Sequence, residues 1–64
     1  MQKESFEVEA EQEGERLDKF LSIIYPDFSR AFFQKLIKNN QVAVNDKVQK
    51  ASYCVKIDDI VTVE

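Results

Sequence analysis

The sequence predicts an α+β fold in which two helices pack on one face of a small, mostly antiparallel sheet. Apolar residues alternate with polar ones near the N-terminus, recur at helical spacing in the middle of the chain, and alternate again after residue 40. Elements of this kind bury their apolar faces against each other. We expect a single domain over residues 1–64, divided into a leading strand and turn (1–15), a helix pair (16–39) and short strands (40–64).

The leading strand is predicted over residues 5–11, where polar and apolar residues alternate. Phe6, Val8 and Ala10 fall on one side, which we expect to face the core, and glutamates fall on the other. Glutamates on the outer side also discourage pairing with the edge of another sheet. Gly14, the only glycine in the chain, ends this pattern.

The first predicted helix carries one apolar stripe. Its members are spaced as i, i+3, i+4 and i+7, the spacing of one helix face: Leu17, Phe20, Leu21 and Ile24. The helix is expected to run from Arg16 to Tyr25. Pro26 ends it, because the residue before a proline is pushed out of the helical conformation.

The second helix is predicted to begin after Ser29, whose hydroxyl is suited to accept a hydrogen bond from a free backbone N–H. Asp27 is the alternative cap. The apolar stripe consists of Phe32, Phe33, Leu36 and Ile37. The complementary side carries Arg30, Gln34, Lys35 and Lys38. We therefore expect an apolar side on the core and a basic side in solvent.

Three short strands are predicted in the last part of the chain. The first, residues 42–44, leads into a tight turn at Asn45 and Asp46, which both tolerate positive φ. The return is expected at residues 47–48. The other strands are expected at residues 53–57 and 60–63, with a turn at 58–59.

The net charge of −3 is unevenly distributed along the chain. Residues 1–18 carry seven acids and two bases, residues 19–50 carry two acids and six bases, and residues 51–64 carry three acids and one base. The positive charge is therefore concentrated in the middle. Charge alone is equally consistent with a solvated surface of mixed sign and with a basic patch, since a patch requires the bases to share one face.

Composition argues against several classes of site. Cys54 is the only cysteine and there is no histidine, which excludes an internal disulfide, argues against a structural zinc site and removes the commonest general base. No apolar run approaches the ~20 residues of a membrane helix. The N-terminus, Met1 to Glu4, lacks the apolar segment of a signal peptide. We expect a cytoplasmic monomer with no metal, no cofactor, no catalytic residue and no membrane contact.

Five motifs in order resemble the RNA-binding domain first described in ribosomal protein S4. They are Arg16-Leu17-Asp18-Lys19-Phe20-Leu21, Ser29-Arg30, Leu36-Ile37-Lys38, Val42-Ala43-Val44-Asn45, and Asp59 with Ile60 and Val63. The leading strand and the string Tyr25-Pro26-Asp27-Phe28-Ser29-Arg30 look most like the N-terminal domain of pseudouridine synthases of the RluA/RluD type. The resemblance covers about three quarters of the chain.

The sequence departs from the family pattern at three turns. Asn40, Asp46 and Asp58 stand where the family usually has glycine. Asn and Asp are the residues other than glycine that best tolerate a left-handed backbone, so the fold is expected to be kept. Asp46 also places a negative charge beside a loop that RNA would approach.

Asp18 does not match the catalytic aspartate of these synthases. Their catalytic motif also contains Arg-Leu-Asp, but with a preceding His and a following Thr-Ser-Gly. Here Glu15 precedes the triplet and Lys19-Phe20-Leu21-Ser22 follows it. We expect Asp18 to cap the first helix or to pair with a cation near its first turn.

The resemblance and the charge pattern together predict an RNA-binding surface on the helix pair and the hairpin. Its candidate residues are Arg16, Lys19, Ser29, Arg30, Gln34, Lys35, Lys38, Asn45 and Lys47. Cationic side chains hold phosphate oxygens, and a guanidinium can hold two of them. Ser29 is first a helix cap, Asn45 first a turn residue, and Gln34 is equally consistent with plain solvation.

The resemblance implies a module that positions structured ribosomal RNA for a separate catalytic domain, and the chain alone is expected to have no catalytic activity. One alternative is a free-standing ribosome- or RNA-associated protein of the same fold. Another is a protein-interaction module, such as a small sulfur-carrier or ubiquitin-like fold. Those carriers end in Gly-Gly and place their helix after a hairpin, whereas this chain ends in Val63-Glu64 and places two helices before it.

Overall fold

The computed structural model describes residues 3–64 and has the predicted α+β architecture. Its elements are β1 (Glu4–Glu7), α1 (Leu17–Ile24), α2 (Arg30–Lys38), β2 (Val42–Val44) and β3 (Ile60–Val63). Met1 and Gln2 lie outside the described residues. Two predictions include them, namely the domain over residues 1–64 and the lack of a signal peptide at the N-terminus. Neither helix in the described part is long and apolar enough to cross a membrane.

The three strands form one antiparallel sheet in the order β1-β3-β2. Val61 lies between Phe6 and Val44 in the register, and Val63 is paired with Val42. Because successive side chains point to opposite faces, these residues share the face that meets the helices. The sheet therefore presents an apolar face of valines to the core.

The helices cover this face with the predicted stripes. Leu17, Phe20 and Leu21 of α1 are buried, and Ile24 is half-buried. From α2 the core receives Phe33, Leu36 and Ile37. The packing leaves the first turns of the two helices side by side, which sets the position of the candidate site.

The leading strand is shorter than predicted. It ends at Glu7, and residues 10–12 form a 3₁₀ turn that leaves Ala10 exposed instead of in the core. The side-chain oxygen of Gln12 accepts a hydrogen bond from the backbone N–H of Glu9 at 2.8 Å. This local bond closes the turn, so the chain leaves the sheet after Glu7.

The predicted strands at residues 47–48 and 53–57 do not form. Only isolated bridges occur there, between Val44 and Lys47 and between Arg16 and Cys54. The carbonyl of Tyr53 accepts from the backbone N–H of Leu17 at 2.7 Å, so this segment is bonded to the start of α1. It therefore satisfies a backbone donor that the helix itself leaves free.

The turn residues adopt the left-handed backbone that the sequence predicts. Asn40, Asp46 and Asp58 have φ of 62°, 67° and 73°, and Asn45 has φ of 52°. Positive φ at both central residues is the geometry of a type I′ hairpin turn, which joins β2 to Lys47. Asn and Asp thus provide the left-handed backbone at these turns without glycine.

Replacing Asp58 tests this explanation. We expect Asp58→Ala to lower the free energy of unfolding by about 1 kcal/mol, because alanine tolerates the left-handed region poorly. Asp58→Gly removes the same charge without that penalty and is expected to be at least as stable as the natural chain. Urea unfolding measures both. Asp27→Ala, at an exposed loop residue with negative φ, is the matched control, and equal stability of the two Asp58 variants would contradict the explanation.

Candidate nucleic-acid interface

A buried carboxylate lies at the centre of the candidate site. Asp18, in the first turn of α1, is fully buried, and both of its oxygens receive donors. Arg16 donates from Nε to Oδ1 and from Nη2 to Oδ2, each at 3.3 Å, while Nη2 of Arg30 lies 3.4 Å from Oδ2. The side chain of Gln34 and the backbone N–H of Lys19 donate at 2.8 Å each. Five donors therefore converge on a single carboxylate.

The local structure explains why these groups meet. Arg16 immediately precedes α1, so its side chain folds back over the first turn of the helix. Arg30 and Gln34 are four residues apart on α2 and therefore share the face that looks toward Asp18. The carboxylate thus links the two helices at the end where both begin.

The charges around Asp18 do not cancel. Burial raises the pKa of Asp18, but the hydrogen bonds from Gln34 and the Lys19 backbone and the charges of Arg30 and Arg16 outweigh it and hold the pKa below its ordinary value of 3.8. The carboxylate is therefore ionised at neutral pH. Two guanidinium groups face one negative charge, which leaves a net positive site.

Both guanidinium groups remain open to solvent. The side chains of Arg16 and Arg30 are 48% and 46% exposed. Arg16 uses Nε and Nη2 for Asp18, and Arg30 uses Nη2 alone, so each planar fork keeps N–H donors pointing elsewhere. The site can hold phosphate oxygens while Asp18 fixes the orientation of both groups.

Ser29 has the role of a helix cap. Its Oγ accepts a hydrogen bond from the backbone N–H of Phe32 at 3.2 Å. The capped end of α2 starts at Arg30, which is thereby placed beside Asp18. Ser29 therefore contributes to the site by fixing the residue at which α2 begins.

The lysines of the helix pair lie on its exposed side. Lys38 continues the line of Arg30 and Gln34 at a spacing of four residues, and Lys35 lies roughly 140° around the helix from Arg30. Lys19 is exposed as well, but its Nζ lies 3.8 Å from a carboxylate oxygen of Glu15. An exposed pair of this kind contributes little and is easily exchanged for another anion.

Both polar ends of the Asn45 side chain are hydrogen-bonded within the protein. Its Nδ2 donates to Asp59 at 2.9 Å, and its Oδ1 accepts from the backbone N–H of Ile60 at 3.0 Å. The hydrogen bond from the Tyr53 hydroxyl is the main cause that lowers the pKa of Asp59. Its effect outweighs that of burial, which raises the pKa. Lys47 is exposed just beyond this turn, and no described contact joins it to the helix pair.

Two features of the site were not predicted from the sequence. Asp18 was expected to cap or to pair, which is confirmed, but its sharing among Arg16, Arg30 and Gln34 was not foreseen. The available signal was that Asp18 borders the apolar stripe beside Leu21, so its side chain faces the neighbouring helix. The second feature is Phe28, which is 43% exposed next to the capped end of α2.

Within residues 3–64, no group of three or more His, Cys, Asp or Glu side chains is arranged to hold a metal ion. The polar chemistry of the described site consists of guanidinium, amide, ammonium and carboxylate groups. Such a set suits the binding of an anion.

Comparisons with known proteins agree with this chemistry. The family model described as the S4 domain matches residues 15–61. An uncharacterized RNA pseudouridine synthase of Aquifex aeolicus (strain VF5) is 52% identical over 50 residues, which is 77% of this chain and 16% of that protein. The uncharacterized RNA pseudouridine synthase YlyB of Bacillus subtilis (strain 168) is 45% identical over 53 residues, or 83% of this chain and 18% of that protein. The chain therefore spans less than a fifth of the length of these curated relatives.

Removing the charge of Asp18 tests its role in the fold. We expect Asp18→Asn to lower the free energy of unfolding at neutral pH by about 2 kcal/mol, the order of magnitude of a hydrogen bond to a charged group. The pKa of Asp18 is lower in the folded chain, so its stabilisation is complete above the ordinary value of 3.8 and is lost as the pH falls through the folded value.

The difference between the natural chain and Asp18→Asn should therefore narrow when urea unfolding is repeated below pH 3.8. Asp27→Asn removes the same charge from an exposed loop and serves as the control. A stability difference that stays constant with pH would show that Asp18 acts through its shape rather than its charge.

Proposed function

This chain belongs to the S4 domain family, an RNA-binding family, and from that membership we propose that it binds structured RNA through the outer surface of its helix pair. The observation that carries the proposal is the convergence of Arg16 and Arg30 on Asp18. The proposed contact residues are Arg16, Lys19, Ser29, Arg30, Gln34, Lys35, Lys38, Asn45 and Lys47. Asn45 and Ser29 would contribute by holding the hairpin and the helix start in position.

The chemistry supports backbone contacts more than reading of bases. Phosphate oxygens accept from guanidinium forks and lysine ammonium groups, and such contacts fix the position of the nucleic acid without reading its sequence. Helical RNA is recognised mainly by shape, phosphates and 2′-hydroxyl groups. The site would therefore select a folded RNA by the spacing of its phosphates.

The relatives suggest a larger context. Both are RNA pseudouridine synthases that extend far beyond the matched region. We propose that residues 1–64 form one RNA-binding domain, placed at the N-terminus of such a synthase, which holds ribosomal RNA for a separate catalytic domain. In this proposal the 64-residue chain is a cytoplasmic monomer with no catalytic activity of its own.

Salt dependence tests the electrostatic part of the proposal. With about five phosphate contacts, the logarithm of the RNA affinity should fall against the logarithm of the salt concentration with a slope of about −4.5. The double variant Lys35→Gln/Lys38→Gln should reduce the size of that slope by about 2, because each lost contact removes about 0.9. Fluorescence anisotropy with a labelled RNA hairpin measures both quantities.

A matched control removes the same charge elsewhere. Lys50 and Lys56 are exposed and lie in the irregular segment between Lys47 and β3. Lys50→Gln/Lys56→Gln should leave the slope unchanged. If both double variants alter the slope equally, binding follows net charge and the helix pair is not the interface.

A further inference from the structure

An exposed aromatic residue precedes Arg30 in the loop between the helices. Phe28 lies in the loop between the helices, two residues before Arg30, so their Cα atoms are at most about 7 Å apart. The residue is 43% exposed, although a side chain of this size normally gains from burial. The proposed function leaves this ring unused.

The ring is held rigidly by its neighbours. Phe28 stacks on Phe32 with centroids 4.8 Å apart and an interplanar angle of 20°. Tyr25 and Phe33 contact it at steep angles, with centroids 6.4 and 6.2 Å away. Since Phe32 covers one face of the ring, a stacking partner has to approach the other face. The ring is therefore a fixed platform and needs no rearrangement to receive a partner.

Packing within the protein accounts for only part of this arrangement. Phe28 precedes the cap Ser29 and touches Phe33, the fourth residue of α2, which is the arrangement of a hydrophobic staple. A leucine would serve a staple equally well. A planar ring left nearly half exposed offers something more, namely a π face.

The shape of the surface favours a flat partner. The hollow lined by Tyr25, Phe28, Phe32, Phe33 and Val63 measures about 20 Å³. A cavity of about 10–15 Å³ on this measure holds one water molecule, so the hollow has room for about one water and is too small for an apolar side chain of another protein. A nucleobase needs no cavity, because it stacks on an aromatic face.

We propose that Phe28 is a stacking platform for an unpaired base of the RNA whose phosphates contact Arg16 and Arg30. The inference rests on the proposed RNA-binding function and deepens it. The Cα atoms of Phe28 and Arg30 are at most about 7 Å apart, so a nucleotide stacked on Phe28 would be near, along the RNA, to one whose phosphate contacts Arg30. The domain would then prefer a stem interrupted by an unpaired nucleotide over a fully paired stem.

Two RNA hairpins test the inference, one with a single unpaired nucleotide in its stem and one with a fully paired stem. The natural chain should bind the interrupted stem more tightly. Phe28→Leu, which keeps the staple and loses the π face, should weaken binding to the interrupted stem by about tenfold or more and leave binding to the paired stem unchanged. Thermal unfolding checks that the variant folds.

A second variant guards against a purely structural effect. Phe28→Trp should restore the preference, and it introduces the only tryptophan of the chain, whose fluorescence should change when the interrupted stem binds. Val48→Ala, which trims an exposed apolar residue elsewhere, should have no effect on either RNA.

Three outcomes would overturn the inference. If Phe28→Leu binds both hairpins as the natural chain does, the aromatic surface is not an RNA contact and serves a protein partner or none. If it weakens both hairpins equally, the ring acts only as a staple. If the natural chain binds neither hairpin, the proposed function itself fails and takes the inference with it.

Discussion

The interaction on which the helix pair depends is the shared carboxylate of Asp18. Helix packing alone positions apolar stripes, but it does not fix where two arginines from separate segments point. The burial of Asp18 would be costly without partners, and Arg16, Arg30 and Gln34 supply them from both sides of the helix interface. The same bonds that stabilise the charge in the fold therefore orient the cations of the surface. In the proposed function, one group of side chains therefore serves both the fold and the recognition of RNA.

This arrangement gives a chain of net charge −3 a locally positive surface on its helix pair. What matters to RNA is the local field of the helix pair. Arg16 and Arg30 are paired with Asp18, whereas two N-terminal glutamates make their described contacts elsewhere. Glu13 accepts a hydrogen bond from the backbone N–H of Ile57, and Glu4 accepts one from the Tyr25 hydroxyl. Burial and this bond to Glu4 raise the pKa of Tyr25 to about 12. Within residues 3–64, the candidate cation that pairs with such a glutamate is Lys19, which lies near Glu15 at the surface.

Local patterns predicted what depends on local physics. The helix stripes, the Ser29 cap and the left-handed turn residues follow from spacing and backbone preference, and each is found. The absence of a strand at residues 53–57 depends on a partner far along the chain. The carbonyl of Tyr53 is hydrogen-bonded to Leu17 at the start of α1, and the alternation of residues 53–57 does not predict this pairing. The site divides in the same way. The exposed cations of α2 could be predicted from spacing, but the contacts of Asp18 with Arg30 and Gln34 depend on how the helices pack. In the same way, the side chain of Asn45 is held by Asp59, which is distant in sequence.

The most direct measurement uses the fact that Arg16 and Arg30 are the only arginines in the chain. Their side-chain Nε–H groups give two NMR signals, which can be followed while a structured RNA hairpin is added. If the guanidinium pair is the phosphate site, both signals shift together and saturate with the same affinity as the whole domain, while the backbone signal of Asp18 shows that the helix pair stays intact. If both arginine signals remain unchanged while RNA binds, the interface lies elsewhere and the role assigned to the Asp18 cluster is wrong.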